Sequence, residues 1–121
     1  VYKRQVTSRA GFDTYANEFE AQDLADFIAQ IPDGRIVAVA VRGDGATSLT
    51  DQAVQALGSL GGQIDLRGTE GFSHALIGVK GAAPGSALED SGQGNTYLHV
   101  GRNPDDRTLS VAVDYVALRL K

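Results

Sequence analysis

One apolar stretch, Ile-Val-Ala-Val-Ala-Val at residues 36–41, constrains this chain more than any other feature. A Pro-Asp-Gly sequence at 32–34 precedes it, and a polar loop containing glycine follows it at 43–50. Proline, aspartate and glycine are the residues that a tight turn needs, so the turn separates this stretch from whatever precedes it. Because the stretch lacks the polar alternation of a half-exposed strand, we predict a central β-strand that is covered on both faces.

Capping residues and apolar spacing predict one helix on either side of this strand. Asn17 and Glu20 form a capping pair, and apolar residues then recur at helical spacing, which predicts a helix over about residues 18–30. Thr50 is the expected N-cap of a second helix, which the glycine pair at 61–62 ends. The expected buried stripes are Ala21, Leu24, Ala25, Ile28 and Ile31 in the first helix and Ala53, Val54, Leu57 and Leu60 in the second.

The remaining residues are predicted to form strands joined by polar loops. Residues 63–72 are a polar connector, and residues 74–80 are a second apolar strand. Residues 86–95, rich in glycine and serine, are predicted to be a loop or linker. We predict a short strand at residues 96–100, a turn at 103–107 and alternating strands after it, with a bulge near Tyr115. These elements predict an α+β domain, with a compact mixed β-sheet or β-sandwich core and two or three short helices packed on it.

Composition excludes several classes of partner. The 121 residues suffice for one domain, and the absence of cysteine excludes disulfides and thiolate metal sites. A net charge of -4 without a basic cluster argues against nucleic acid or an anionic membrane surface as a partner. No run of eighteen apolar residues occurs, so we expect no membrane insertion by this segment. Residues 1–5 resemble translated adapter sequence, and we predict that they are not native.

Three motifs invite a chemical interpretation, and each is incomplete. The Gly-Asp-Gly loop at 43–45, between a strand and a helix, resembles a dinucleotide site but lacks the third glycine and a distant acidic partner. Arg-Gly-Asp at 42–44 spells the integrin-binding tripeptide, which is short enough to occur by chance. His74 and His99 stand in separate predicted strands, and neither has an evident triad partner. We therefore predict that the chain is not an enzyme and that it holds no cofactor and no metal.

Several segments in order resemble one known domain family. They are Phe-Asp-Thr-Tyr at 12–15, the run from 24 to 41, the Asp44 loop, Ala-Leu-Gly-Ser-Leu-Gly at 56–61 and the run from 74 to 81. Together they resemble the ILEI/PANDER (interleukin-like EMT inducer, or GG) domain over roughly residues 6–88. This family includes secreted cytokine-like proteins, a domain of cell-surface hyaluronan-degrading proteins and the stem domain of a protein O-mannose N-acetylglucosaminyltransferase. The resemblance implies a compact fold of two β-sheets with short helices packed on them.

The resemblance also implies candidate residues for carbohydrate binding. In the stem-domain relatives, an acidic residue follows the central strand and an arginine precedes the second apolar strand. Asp44 matches the acidic position, but Gly71 occupies the arginine position, so Arg42 or Arg67 would have to replace that arginine. A sugar ring usually also needs an apolar face, which Phe72 would supply. The candidate carbohydrate-binding residues are therefore Asp44, Arg42, Arg67, Phe72 and His74.

Domain limits and cellular location follow from the same resemblance. We predict an ILEI/PANDER-like domain at residues 6–88, followed at 89–121 by a linker and C-terminal strands that complete or extend it. The family pattern begins with an upstream strand that this chain lacks, so either that strand is missing or residues after 95 cover the open edge. We expect an extracellular or cell-surface location, as part of a longer chain.

Four functional interpretations stand after these observations. The first is a non-catalytic module that binds a glycan or glycoconjugate, and the second is a cytokine-like domain that binds another protein. The others are an enzyme, which would need His74 or His99 beside a carboxylate and a hydroxyl, and a structural spacer. Asp44 has a local interpretation too, because an aspartate between two glycines commonly bonds nearby amides and shapes a turn.

Overall fold

The computed structural model describes residues 6–98 and the backbone of residues 119–120. The predicted turn at 103–107, the alternating strands from 109 to 118, His99 and residues 1–5 lie outside the described residues. The elements, in chain order, are α1 (Glu18–Ala29), β1 (Ile36–Val41), α2 (Asp51–Gly58), β2 (Ser73–Val79), β3 (Leu88–Gly92) and β4 (Arg119–Leu120).

The described strands form one mixed sheet in the order β3-β2-β1-β4. β2 is antiparallel to β1, with Val41 opposite His74, and β3 is antiparallel to β2. β4 is parallel to β1 and pairs with Ala40 and Val41. The prediction of an α+β domain with β1 as a central strand is therefore confirmed, and residues near the C-terminus lie along the outer edge of β1.

Both helices begin at the predicted N-caps. The Asn17 side chain accepts a hydrogen bond of 3.0 Å from the Glu20 amide, and the Thr50 hydroxyl accepts one of 3.2 Å from the Ala53 amide. These bonds satisfy amides that lack a partner in the first turn. The Glu20 carboxylate accepts a bond of 3.0 Å from the amide of Asp13, so it ties the preceding loop to the start of α1.

The second helix ends earlier than we predicted. Its last helical residue is Gly58, and the amide of Ser59 donates to carbonyl oxygens of the last turn. Gly61 has a φ of 88°, a left-handed conformation that favours glycine. Its carbonyl accepts hydrogen bonds from the amides of Gly85 and Ala87. The glycine pair at 61–62 therefore turns the chain from α2 towards the sheet rather than closing the helix.

The helices pack on one face of the sheet, so β1 is fully buried on one face and only partly on the other, which corrects our prediction that both faces are covered. The three valines of β1 are buried, whereas Ile36 is 65% exposed and Ala38 and Ala40 are partly buried. The stretch alternates in side-chain size rather than in polarity, which the apolar composition concealed. The core consists of Phe12, Ala21, Leu24, Ile28, Val37, Val39, Val41, Ala46, Ala53, Leu57, Leu60, Leu66 and Leu76.

Residues 88–92 form a strand, so the prediction of a loop or linker over 86–95 was wrong there. The segment reads Leu-Glu-Asp-Ser-Gly, and most of these residues have low intrinsic strand propensity. Pairing with the whole N-terminal half of β2 compensates for that weak propensity. Residues 96–98, which we predicted to begin a strand, are not in one, and residues 99–100 lie outside the described residues.

Candidate functional site

Asp44 shapes the loop that follows β1. Its Oδ1 accepts hydrogen bonds from the amides of Ala46 (2.9 Å) and Thr47 (3.3 Å), and its Oδ2 accepts a bond of 2.7 Å from the Thr47 hydroxyl. The Thr47 hydroxyl, followed by backbone amides that include that of Gly71, holds the pKa of the Asp44 carboxyl below its usual value. Asp44 is therefore an ionised organiser of the loop, as its local interpretation predicts.

The Asp44 loop is also fastened to the residues before α1. The buried Thr14 hydroxyl donates a bond of 2.8 Å to the carbonyl of Gly45, and the Thr14 carbonyl accepts from the amide of Ser48. The Ser48 hydroxyl donates to the carbonyl of Tyr15 at 3.0 Å. These bonds hold the loop from both directions, so its shape is set before any ligand arrives.

The connector at 65–72 meets the Asp44 loop through Gly71. The Gly71 amide lies close enough to the Asp44 carboxylate to lower the pKa of that carboxyl. The connector is held by the buried Leu66 side chain and by a bond of 3.0 Å from the Phe72 amide to the Thr69 carbonyl. The structure thus brings together Asp44 and the position of the missing family arginine, which we call the loop junction (residues 42–47 and 65–72).

The two candidate arginines differ in their availability. Arg42 follows β1 directly, is exposed, and has no side-chain partner in the part of the chain that the structure describes. Arg67 is engaged: its Nε lies 2.9 and 3.0 Å from the two carboxylate oxygens of Asp65, and its Nη1 bonds Asp51. The Asp65 carboxylate, followed by that of Asp51, raises the pKa of the Arg67 guanidinium above its ordinary value. Arg42 is therefore the free cation of the loop junction.

His74 lies in the interior, away from the surface that we predicted for sugar contact. Its side chain is 1% exposed, and its Nε2 lies 2.8 Å from Oε1 of Glu89. Its Nδ1 is buried without a protein partner. Phe72 is partly buried at the end of the connector, so it keeps some surface at the loop junction.

Two residues with notable contacts, Glu89 and Tyr15, were not among the predicted site residues. Glu89 fell in the supposed linker, but its Oε2 accepts hydrogen bonds from the amides of Gln63 and Ile64 while Oε1 meets His74. Tyr15 is 60% exposed and is bonded through its carbonyl to Ser48 of the Asp44 loop. Its membership of the Phe-Asp-Thr-Tyr motif was visible in the sequence, but its proximity to that loop was not.

Two grooves lie away from the loop junction. One groove, of about 240 Å³, is lined by strands β1 and β2 on one side and by residues 95–98 on the other. The other, of about 430 Å³, lies between the two helices beside Lys80, whose Nζ donates to the carbonyls of Ile28 and Ile31. Neither is lined by residues of the loop junction.

The described residues contain neither a membrane-spanning helix nor a cluster of metal ligands. None of the helices found there is both long enough and apolar enough to cross a membrane. No group of three or more histidine, aspartate or glutamate side chains within residues 6–98 is placed to hold a metal ion.

Replacing Asp44 by alanine is expected to lower the free energy of unfolding by about 1 kcal/mol, because the loop amides lose their acceptor. The lowered pKa sets the pH dependence. The stabilisation that the ionised Asp44 carboxylate provides is present above the ordinary pKa of 3.8, and it is lost as the pH falls through the lower pKa of the folded state. Urea unfolding at neutral pH and near pH 3 should therefore show a smaller difference between wild type and Asp44→Ala in acid. An equal difference at both pH values would contradict this account, and Asp23→Asn on the exposed face of α1 is the control.

Comparison with known proteins places this arrangement in a family. Residues 1–82 match the sequence profile described as interleukin-like EMT inducer. Two relatives are both named cell migration-inducing and hyaluronan-binding protein: one from Mus musculus, 41% identical over 81 residues, and one from Homo sapiens, 40% identical over 81 residues. Each match covers 65% of this chain but only 6% of the relative, so the chain spans a small part of their length. The resemblance seen in the sequence is confirmed, and the chain belongs to the interleukin-like EMT inducer family.

Proposed function

We propose that this domain is a non-catalytic carbohydrate-binding module of a larger extracytoplasmic protein. The observation that carries the proposal is the loop junction, where the Asp44 loop and the connector meet around one ionised carboxylate. The two relatives carry hyaluronan binding in their names, which supports a glycan as the class of ligand. Their far greater length supports the role of a module within a larger protein.

Within this proposal Asp44 and Arg42 have different tasks. The Asp44 oxygens already accept bonds from Ala46 and Thr47, so Asp44 fixes the loop shape more than it offers an empty acceptor. Arg42 presents a planar guanidinium with five N–H donors, suited to the vicinal hydroxyls of a sugar. A loop ordered in advance loses little conformational entropy when it binds, which favours a useful affinity from few contacts.

Aromatic side chains beside the junction supply the apolar component that a sugar ring needs. Tyr15 is 60% exposed and adjoins the Asp44 loop, while Phe72 is partly buried at the end of the connector. An aromatic ring offers an apolar face, and the tyrosine hydroxyl adds a polar edge. This combination of free donors and apolar faces is typical of an open carbohydrate site.

The surroundings of His74 support a non-catalytic role. General acid or base catalysis needs a group within hydrogen-bond reach of the substrate. The His74 ring is buried, and its Nε2 contacts Glu89, so this nitrogen does not face the loop junction. The partners of the His74–Glu89 pair are the backbone amides after α2, which indicates a structural task.

The test compares two exposed arginines at opposite ends of β1. Arg42→Ala should weaken binding of a glycan by about tenfold, since it removes charge-assisted hydrogen bonds, while leaving the unfolding free energy unchanged. Arg35→Ala, the matched control at the distant end of the strand, should bind as wild type does. A glycan array carrying glucosamine, mannose and uronate sugars, followed by calorimetry on the hits, measures both. Binding that both variants retain in full would contradict this site, and the absence of any hit with the folded wild type would contradict the function.

A second candidate function, binding to another protein, is favoured by exposed apolar side chains outside the junction. Phe19 in the first turn of α1 is 82% exposed, and Ile36 at the start of β1 is 65% exposed. Large exposed apolar groups are common anchors of protein interfaces. If Phe19→Ser abolishes capture of a protein partner while a glycan produces no signal in calorimetry, this second function replaces the first.

A further inference from the structure

We propose that the loop junction takes an uncharged sugar and discriminates against polyanionic glycans such as hyaluronan. This inference rests on the proposed function and specifies its class of ligand. The two relatives are named for binding hyaluronan, a polymer with one carboxylate in each disaccharide. The ligand proposed here is therefore different from the one in their names.

The loop junction and its rim, residues 42–51 and 63–72, carry a net negative charge. Four carboxylates and only two guanidinium groups lie in these segments, so their sum is negative. The charged side chains are Asp44, Asp51, Asp65, Glu70, Arg42 and Arg67. The whole chain is also acidic, with a net charge of -4, so charges outside the segments do not reverse the sign overall.

The Arg67 guanidinium is already paired with carboxylates, so it does not offer a free positive charge to a ligand. Its Nε and Nη2 face the carboxylate of Asp65, and its Nη1 meets Asp51. One guanidinium shared by two carboxylates leaves a group of three with one excess negative charge. The hydrogen bond from Arg67 also lowers the pKa of the Asp65 carboxyl, so this group stays charged at neutral pH.

Asp44 and Arg42 carry the remaining charges of the loop directly after β1. Asp44 is ionised, with hydrogen bonds that stabilise the charged form, and it stands two residues from the one arginine that has a free guanidinium among the described residues of the junction. Because Asp44 lies only two residues from Arg42 in the same loop, we expect a carboxylate that approaches Arg42 to be repelled by Asp44. An uncharged hydroxyl meets the same donors without this repulsion, which favours neutral sugars.

The magnitude of the repulsion is sufficient for discrimination. Two like charges 4 Å apart in water repel by about 1 kcal/mol, and exposed charges act on each other over a screening length of about 8 Å at physiological salt. Several such interactions accumulate along a polyanion, since each disaccharide brings another carboxylate. A preference of about tenfold for the neutral sugar corresponds to about 1.4 kcal/mol.

The decisive experiment titrates the intact chain with four probes: the N-acetylglucosamine trimer, a mannose trimer, a hyaluronan hexasaccharide and heparin hexasaccharide. We expect at least one neutral trimer to bind about tenfold more tightly than either anionic probe. Its affinity should be unchanged between low salt and about 0.15 M salt, because screening affects only interactions between charges.

The variant Asp65→Asn sharpens the test, because it removes one negative charge and releases part of Arg67. Asparagine keeps an oxygen that accepts the Arg67 amide, as Asp65 Oδ1 does at 3.0 Å, so the turn is preserved. This variant should bind the hyaluronan hexasaccharide about three- to tenfold more tightly than wild type and bind neutral trimers equally well. Asp23→Asn makes the same charge change on the exposed face of α1 and should alter neither affinity.

Two results would overturn this inference alone, and a third would also overturn the proposed carbohydrate function. Wild-type chain that binds hyaluronan as tightly as the neutral trimers contradicts the charge argument and leaves the carbohydrate function intact. So does an Asp65→Asn variant, shown to be folded, whose hyaluronan affinity is unchanged or lower. If none of the four probes binds the folded wild-type chain, the carbohydrate function itself fails and this inference fails with it.

Discussion

Gly78→Ala is expected to be the most destabilising single substitution considered for this domain, lowering the free energy of unfolding by about 4 kcal/mol or more. Gly78 is a buried residue of β2, and the backbone of Leu60, in the turn after α2, lies directly against it. A Cβ at this position would lie 1.9 Å from the carbonyl oxygen of Leu60 and 3.0 Å from its carbon. These are backbone atoms, so no rotation of a side chain relieves the overlap.

The position of Leu60 is itself fixed from both sides, which is why relaxation is costly. The Leu60 side chain is fully buried, and the carbonyls of the residues before and after it are both hydrogen-bonded. The Ser59 carbonyl accepts a bond of 2.7 Å from the Gly81 amide, and the Gly61 carbonyl accepts from two further amides. Moving the carbonyl of Leu60 away from β2 would therefore break several of these bonds together.

Urea unfolding followed by circular dichroism measures the effect, with Gly92→Ala as the control. Gly92 also lies in a strand, but a Cβ there meets no atom within 4 Å. That variant should remain within about 1 kcal/mol of wild type, because alanine lowers the entropy of the unfolded chain without a clash. A Gly78→Ala variant as stable as Gly92→Ala would show that the turn after α2 does not pack closely against β2.

Glu89→Ala is expected to have the second largest effect, a loss of about 3 kcal/mol in the free energy of unfolding. The Glu89 side chain is only 8% exposed and bonds His74, Gln63 and Ile64. Its removal leaves the buried His74 ring without any protein partner, since Nδ1 already lacks one. It also leaves two backbone amides after α2 without their acceptor.

The neighbouring residue provides the control for this prediction. Asp90 is exposed on the same strand, and its carboxylate accepts one long bond of 3.4 Å from the amide of Tyr97. Asp90→Ala should therefore change the unfolding free energy by no more than about 0.5 kcal/mol. If the two alanine variants are equally stable in urea, the contact between Glu89 and His74 does not hold β3 to the rest of the domain.

Local sequence signals were sufficient for the starts of both helices and for the two apolar strands. Asn17 and Thr50 are N-caps because their side chains accept hydrogen bonds from amides three residues later, a relation within one turn. The stripe of α1 also followed from spacing alone, since helix geometry fixes which residues share a face. These features depend on near neighbours, so the sequence displays them directly.

The features that failed depend on distant partners. β3 has few strand-forming residues, and it is a strand because β2 offers a free edge and Glu89 finds an interior contact. The two faces of β1 differ in burial because both helices pack on the same side. The alternation of valine and alanine in the sequence does not indicate this packing. Such outcomes are decided by tertiary packing, which overrides local propensity.

The candidate site shows the same division. Asp44 was identified correctly as a loop residue, and its local bonds to residues 46 and 47 follow from its place between two glycines. The effect of the Gly71 amide on the pKa of Asp44 and the ion pair between Arg67 and Asp51 involve segments far apart in the chain. His74 adjoins the predicted site in sequence, yet alternation along β2 turns its side chain into the core.

The most direct test of the central claim is a titration of the isotope-labelled chain with neutral and uronate-containing sugars, observed by amide NMR. The account predicts saturable shifts concentrated at residues 42–50 and 65–74, strongly reduced in Arg42→Ala and retained in Arg35→Ala. Saturable shifts confined to other parts of the chain would contradict the proposed site. A folded domain that shows no shift with any sugar would contradict carbohydrate binding altogether.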